Sequence, residues 1–229
     1  MAFVLDRKGP ARQNIGAGYA GNDNGGDDFN RGGDDGDGDS GEGRSERSVS
    51  TNILGMLIFI VSEIALFLAL IVAFELARSG QSEWPPPGQP RLPVGVTLVN
   101  TGVLLLSGYT MLRAWLDVKT GWEYSFHRWL LFTCILGTLF LLIQGYEWTQ
   151  LIGYGLSIKA NLYGAAFYTI IGAHALHVLI AIQTVIYVWR RALKGAYSVQ
   201  NHEGIALAGL FWGFVVLIWP ILFVTVYLI

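Results

Sequence analysis

A single cysteine, Cys134, lies inside an apolar run, which excludes an internal disulfide and any thiolate cluster. Histidine is nearly as scarce, at four in 229 residues. Charged side chains make up only 14% of the chain against 52% hydrophobic ones. That balance excludes an ordinary soluble enzyme and points to a bilayer, provided the apolar residues gather in runs long enough to cross one. No phosphate loop, nucleophile elbow or zinc-protease signature is present. No short apolar stretch with a small-residue cleavage site opens the chain, so no removable signal peptide is expected. A nucleic-acid partner is not expected either.

The charge that is present is unevenly placed. Residues 1–50 carry ten acids and six bases, and the rest of the chain nine bases and seven acids. The stretch "GNDNGGDDFNRGGDDGDGDSGEG" is almost wholly Gly, Asp and Asn. It cannot bury enough apolar surface to offset its ordering entropy, so residues 1–50 are expected to be a disordered acidic, Gly-rich tail. Within it Asp35, Asp37, Asp39 and Glu46 occupy positions 1, 3, 5 and 12 of a calcium-loop template. The turn position holds Ser40 rather than Gly, and no helix precedes the loop. A solvated acidic linker is the reading the composition favours.

Five apolar segments follow, at about 53–77, 94–116, 129–151, 163–189 and 204–229. At 1.5 Å per residue each spans roughly 35–40 Å, enough to cross a bilayer. Backbone without water must bond within its own segment, so the expected fold is an all-α integral membrane protein, a bundle of five transmembrane helices. Arg44, Arg47, Arg113, Lys119, Arg128, Arg190, Arg191 and Lys194 fall on one side, and Arg78, Arg91 and Lys159 on the other. The positive-inside rule then places the N-terminus in the cytoplasm and the C-terminus outside. Between the first two segments "SEWPPPGQPRLP" holds five of the seven prolines, which forbids helix. This stiff loop either caps the bundle, docks a partner, or simply stops a helix.

Glu63, in "FIVSEIALF", is the most informative residue. It sits near the bilayer middle, where a carboxylate must be neutral, paired or turned inward, and burial favours its protonated form. His174 and His177 are three apart and share a face of the fourth segment. Glu63 lies roughly 15 Å from one membrane face and His177 roughly 20 Å from the other. In helices of this length those depths nearly coincide, so the carboxylate and the histidine face are expected to meet. Gly172, Ala173, Ala175 and Ala181 would let the fourth helix approach a neighbour closely. Gln144 and Glu147, in "LIQGYEW", share a face of the third segment, about a turn from its end.

Donor counting argues against a redox site. A bis-histidine haem draws opposed ligands from two helices, whereas here both intramembrane histidines lie on one. A dinuclear copper site needs paired cysteines. A two-histidine metal site completed by Glu63 is conceivable, but hydrogen-bonded polar residues in a bundle core are the better reading. Physics alone leaves an accessory subunit or a small proton-coupled carrier, and the lack of an internal repeat disfavours the carrier.

Several segments, in order, resemble subunit III of the haem–copper oxidases, the cytochrome c oxidase subunit 3 family. "FIVSEIALF" resembles its helix with a mid-membrane Ser-Glu pair. "EWPPPG" with "NTGVLLLSG" is similar to its proline-rich loop and following helix, through Trp84, Pro85, Pro86, Gly88, Asn100 and Thr101. "ILGTLFLLIQGYEW" and "NLYGAAFYTIIGAHALHVLIA" resemble its Gln-Glu and paired-histidine helices, and the last helix is similar to the family's final one. Two departures stand out. This chain has only what corresponds to the last five of seven helices found in many relatives. Where the family's last helix reads Trp-His-Phe-Val-Asp, it has Trp212-Gly213-Phe214-Val215-Val216.

The resemblance implies an accessory subunit of a proton-pumping terminal oxidase in a bacterial-type plasma membrane. It would bind catalytic subunit I directly, together with subunit II, small subunits and membrane lipids, and support sustained proton uptake in subunit I. It implies no haem, copper or other cofactor in this chain, those belonging to partner subunits. Glu63 falls on the family's buried, carbodiimide-reactive carboxylate, and His174 and His177 on its paired histidines. Five-helix forms occur in cytochrome c and quinol oxidases alike, and the family extends to nitric oxide reductase accessory subunits, so the electron donor is left open.

Overall fold

The computed structural model describes residues 50–87, 92–159 and 161–228. The calcium-template residues Asp35, Asp37, Asp39 and Glu46, and Gly88 of the proline-rich loop, lie outside them. Among the described residues there is no strand. Five helices, each long and apolar enough to cross a membrane, follow one another: α1 (Thr51–Ser79), α2 (Val94–Thr120), α3 (Glu123–Gly153), α4 (Leu162–Leu193) and α5 (Glu203–Phe223). A π-helical turn, Val224–Leu228, continues α5. The helices outrun the apolar segments by up to six residues at an end, because interfacial residues carry on the backbone bonding beyond the hydrocarbon.

Local chemistry sets the ends. The α2–α3 turn passes through Gly121 at φ 79°, while the Trp122 N–H bonds the Asp117 carbonyl at 3.0 Å. This left-handed closure satisfies α2's last carbonyls, and glycine adopts it without a steric penalty. Asn161 caps α4 by accepting the Gly164 N–H at 2.8 Å.

The helices close into a ring. α2 packs on α3, α3 on α4, α4 on α1, α1 on α5 and α5 on α2, with α5 also against α4. α5 is the most enclosed of the five and α1 the least. Trp212, Trp219, Phe67, Phe140 and Phe167 are fully buried in the shared core. Close approach uses glycines other than the expected one. A Cβ at Gly137 would overlap the Trp212 ring, one at Gly164 the Ser157 carbonyl oxygen, and one at Gly108 would lie 3.0 Å from Val216. Gly172 faces open space.

Gly137→Ala should therefore destabilise the bundle by about 1–3 kcal/mol through overpacking. Gly172→Ala should stay within about 0.5 kcal/mol of the parent. Thermal unfolding of the detergent-solubilised protein measures both.

Candidate functional site

Glu63 lies twelve residues past the start of α1, next to Ser62 and otherwise among Leu, Ile, Val, Phe and Ala at that level. His177 meets it from α4, Nε2 to Oε2 at 2.9 Å, and the two side chains are 13% and 15% exposed. The other imidazole nitrogen, Nδ1, lies 2.7 Å from the Ala173 carbonyl oxygen one turn back on α4. Phe67 sets an edge against the His177 ring with centroids 5.1 Å apart, and Phe214 of α5 closes the other flank at 6.5 Å. A carboxylate among apolar residues thus has an imidazole as its immediate partner, oriented by a backbone carbonyl. Carbonyl oxygens only accept, so Nδ1 donates.

His174 shares the helix face but not the contact. It is fully buried and stacks on Trp219 with centroids 4.9 Å apart and planes at 29°. Phe67 and Phe140 present edges to it at 6.3 and 6.2 Å. Among the described residues, neither of its ring nitrogens has a hydrogen-bond partner.

Trp219 joins this aromatic cluster to a second polar group. Its Nε1–H donates to the Thr101 hydroxyl at 2.9 Å, and Thr101 donates in turn to the Thr97 carbonyl at 2.8 Å. One turn away, the Thr97 hydroxyl lies 3.2 and 3.1 Å from the two carboxylate oxygens of Glu147. The Gln144 amide donates to Glu147 Oε2 at 3.0 Å and to the Tyr227 hydroxyl at 3.3 Å. Asn100 donates to the Phe140 carbonyl at 3.1 Å, tying α2 to α3. Thr97, Asn100, Gln144 and Glu147 are all buried. Glu147 is thus enclosed in a network drawn from α2, α3 and the π turn.

In the proline-rich loop Trp84 wedges between helices, edge-on to Phe74 of α1 at 5.6 Å and to Tyr163 of α4 at 4.9 Å. The loop therefore packs on the bundle and does more than stop a helix. Pro85 is exposed and Pro86 half-buried beside it.

A family model for cytochrome c oxidase subunit III matches residues 40–229. The chain belongs to the cytochrome c oxidase subunit III family. It is 35% identical to cytochrome c oxidase subunit 3 of Thermostichus vulcanus over 178 residues, covering 77% of this chain and 87% of that one. It is 33% identical to the Synechocystis subunit, covering 77% and 75%, and 34% identical to the Mus musculus subunit, covering 76% and 67%. As a family member with five spanning helices it is a multi-pass membrane protein.

Sequence reasoning missed Thr97, Trp219 and Tyr227. Thr97 and Thr101 stand four apart around Asn100, a helix-face signal that was available. Tyr227 gave none, because its orientation is set by the π turn beyond Pro220.

Thr97→Val should strip Glu147 of its hydroxyl partner and destabilise the fold by about 1–3 kcal/mol. Thr97→Ser should restore most of the loss. Unfolding midpoints of the three proteins test the pair.

Proposed function

We propose that this chain is the accessory subunit III of a proton-pumping haem–copper terminal oxidase, bound directly to catalytic subunit I beside subunit II and small subunits. In this reading it lies in a bacterial-type plasma membrane with its N-terminus cytoplasmic and its C-terminus periplasmic. It would stabilise subunit I and support sustained proton uptake there, without catalysing a step itself. Family membership across residues 40–229 carries the reading.

The geometry is consistent with a role that is not redox. Haem iron or copper would need an imidazole nitrogen with room to reach it. Both His177 nitrogens are engaged, by the Ala173 carbonyl and Glu63, and His174 is closed in by Trp219, Phe67 and Phe140. Neither histidine fits such a group, so haem and copper are assigned to partner subunits. Membrane lipids as partners are supported by two apolar grooves of about 490 and 640 Å³ flanking α5, with Gly209 and Gly213 on both.

Affinity purification of the tagged chain from native membranes tests the assignment. A large haem-bearing subunit with oxygen-reducing activity should copurify. A chain isolated alone, folded and active in transport or with its own haem spectrum, would overturn it.

Glu63→Gln should leave assembly intact and shorten the complex's active lifetime during turnover. Inactivation kinetics identical to the parent would remove Glu63 from that role. Orientation is checked by membrane-impermeant thiol labelling in a Cys134→Ser background. Ser198→Cys, in the α4–α5 loop, should react only from the cytoplasmic side, and Ser157→Cys, in the α3–α4 loop, only from the periplasmic side.

A further inference from the structure

Building on the proposal that membrane lipids are partners of this chain, we infer that the groove between α2 and α5 seats an acyl chain of an anionic phospholipid, with Lys119 at its headgroup phosphate. The groove holds about 640 Å³ between Leu105, Met111 and Leu112 of α2 and Ala206, Gly209 and Leu217 of α5. Glycine gives it depth. A Cβ at Gly213 would meet nothing within 4 Å, and Val216 closes the floor by packing on Gly108.

Length selects the occupant. On α2 the lining runs from Trp115 back to Leu105, and on α5 from Ala206 to Leu217. At 1.5 Å per residue those stretches are roughly 15 Å, half of a ~30 Å hydrocarbon core. Trp115 lies five residues before the end of α2, and Ala206 three residues into α5. The groove therefore begins at one membrane face and stops near mid-bilayer. A transmembrane helix would need a groove crossing both leaflets, whereas an acyl chain needs one. In the orientation proposed above, that leaflet is the cytoplasmic one.

The mouth supplies the charge. Lys119 is exposed one turn beyond Trp115, its ammonium 3.7 Å from the centroid of the Trp115 ring that walls the groove. Among the described residues Lys119 makes no ion pair. The remaining charges of α2 and α5 are matched already. Arg113 turns to Asp117 at 3.6 Å and lies over Trp129 of α3, while the Glu203 carboxylate accepts from Ser50. Lys119 is thus an uncommitted cation held on an aromatic wall at the open end of a one-leaflet groove. An anionic headgroup sitting above its own acyl chain is complementary to that arrangement. The α1–α5 groove is lined by apolar side chains and glycine, and among the described residues no cation stacks on its wall.

The test titrates the delipidated, detergent-solubilised full chain with palmitoyl-oleoyl phosphatidylglycerol or phosphatidylcholine and reads bound lipid by native mass spectrometry. Lys119→Gln should weaken phosphatidylglycerol binding about fivefold, the worth of one interfacial cation, and leave phosphatidylcholine binding unchanged. Lys119→Arg should keep the parent affinity. Gly213→Leu, which fills the groove, should weaken both lipids, and adding Lys119→Gln to it should cost no further affinity, because both act on one lipid. Ala206→Phe, on this groove alone, gives an independent filling. Binding of both lipids without dependence on Lys119 would overturn the inference alone. So would an equal loss for the two lipids in Lys119→Gln, or losses that simply add in the double variant. No retained lipid of either kind would overturn the lipid partnership as well.

Discussion

A carboxyl group in the middle of a bilayer must find a partner or disrupt the helix that carries it, and in this protein the contact between Glu63 and His177 meets that demand. Much else follows from it. α1 is the least enclosed helix, yet it is held at mid-depth by a polar bond and by Phe67, which lies against both histidines and Phe214. His177 can serve only because Ala173 orients its ring from one turn back.

The second constraint is that a bundle in lipid gains no hydrophobic drive between its helices, so packing shape and internal hydrogen bonds fix their positions. The two kinds of contact are interleaved along the helices. Beyond the central aromatic cluster, Thr97, Thr101, Gln144, Glu147 and Tyr227 join α2, α3 and the π turn into one network. Trp219 links the two regions, stacking on His174 with its ring and donating to Thr101 with its indole nitrogen. Near the middle of α3, Gly137 takes the Trp212 ring, and farther along the Thr110 and Thr133 hydroxyls bond each other at 2.8 Å.

How much of this the sequence reveals depends on whether a feature is one-dimensional. The five spans are legible because crossing lipid requires an uninterrupted apolar run, and a run is visible without neighbours. The approach of Glu63 to the histidine face is legible for a related reason: depth is counted along each helix, and two equal depths can be compared without knowing the packing. Which histidine makes the bond is not legible, since both share a face and the choice turns on side-chain direction. Nor is the identity of the contact glycines. Gly172 and Gly137 are equally small, and only the neighbour's position separates open space from an indole ring. Trp84 is a similar case, where a residue of the proline-rich loop is also a wedge between Phe74 and Tyr163.

α5 shows why a departure from the family pattern need not disturb the site. The resemblance places a histidine and an aspartate where this chain has Gly213 and Val216. Two buried polar groups gone means two fewer hydrogen-bonding demands to satisfy, which is a gain unless their partners remain behind. Val216 fills its position by packing directly on Gly108. Gly213 leaves open space, and together with Ile60 and Ile64 of α1 it lines an apolar groove. The face that α5 turns toward α1 is consequently apolar, with Phe214 the residue it sets beside His177. With no competing polar group from α5, Glu63 has a single side-chain hydrogen-bond partner among the described residues.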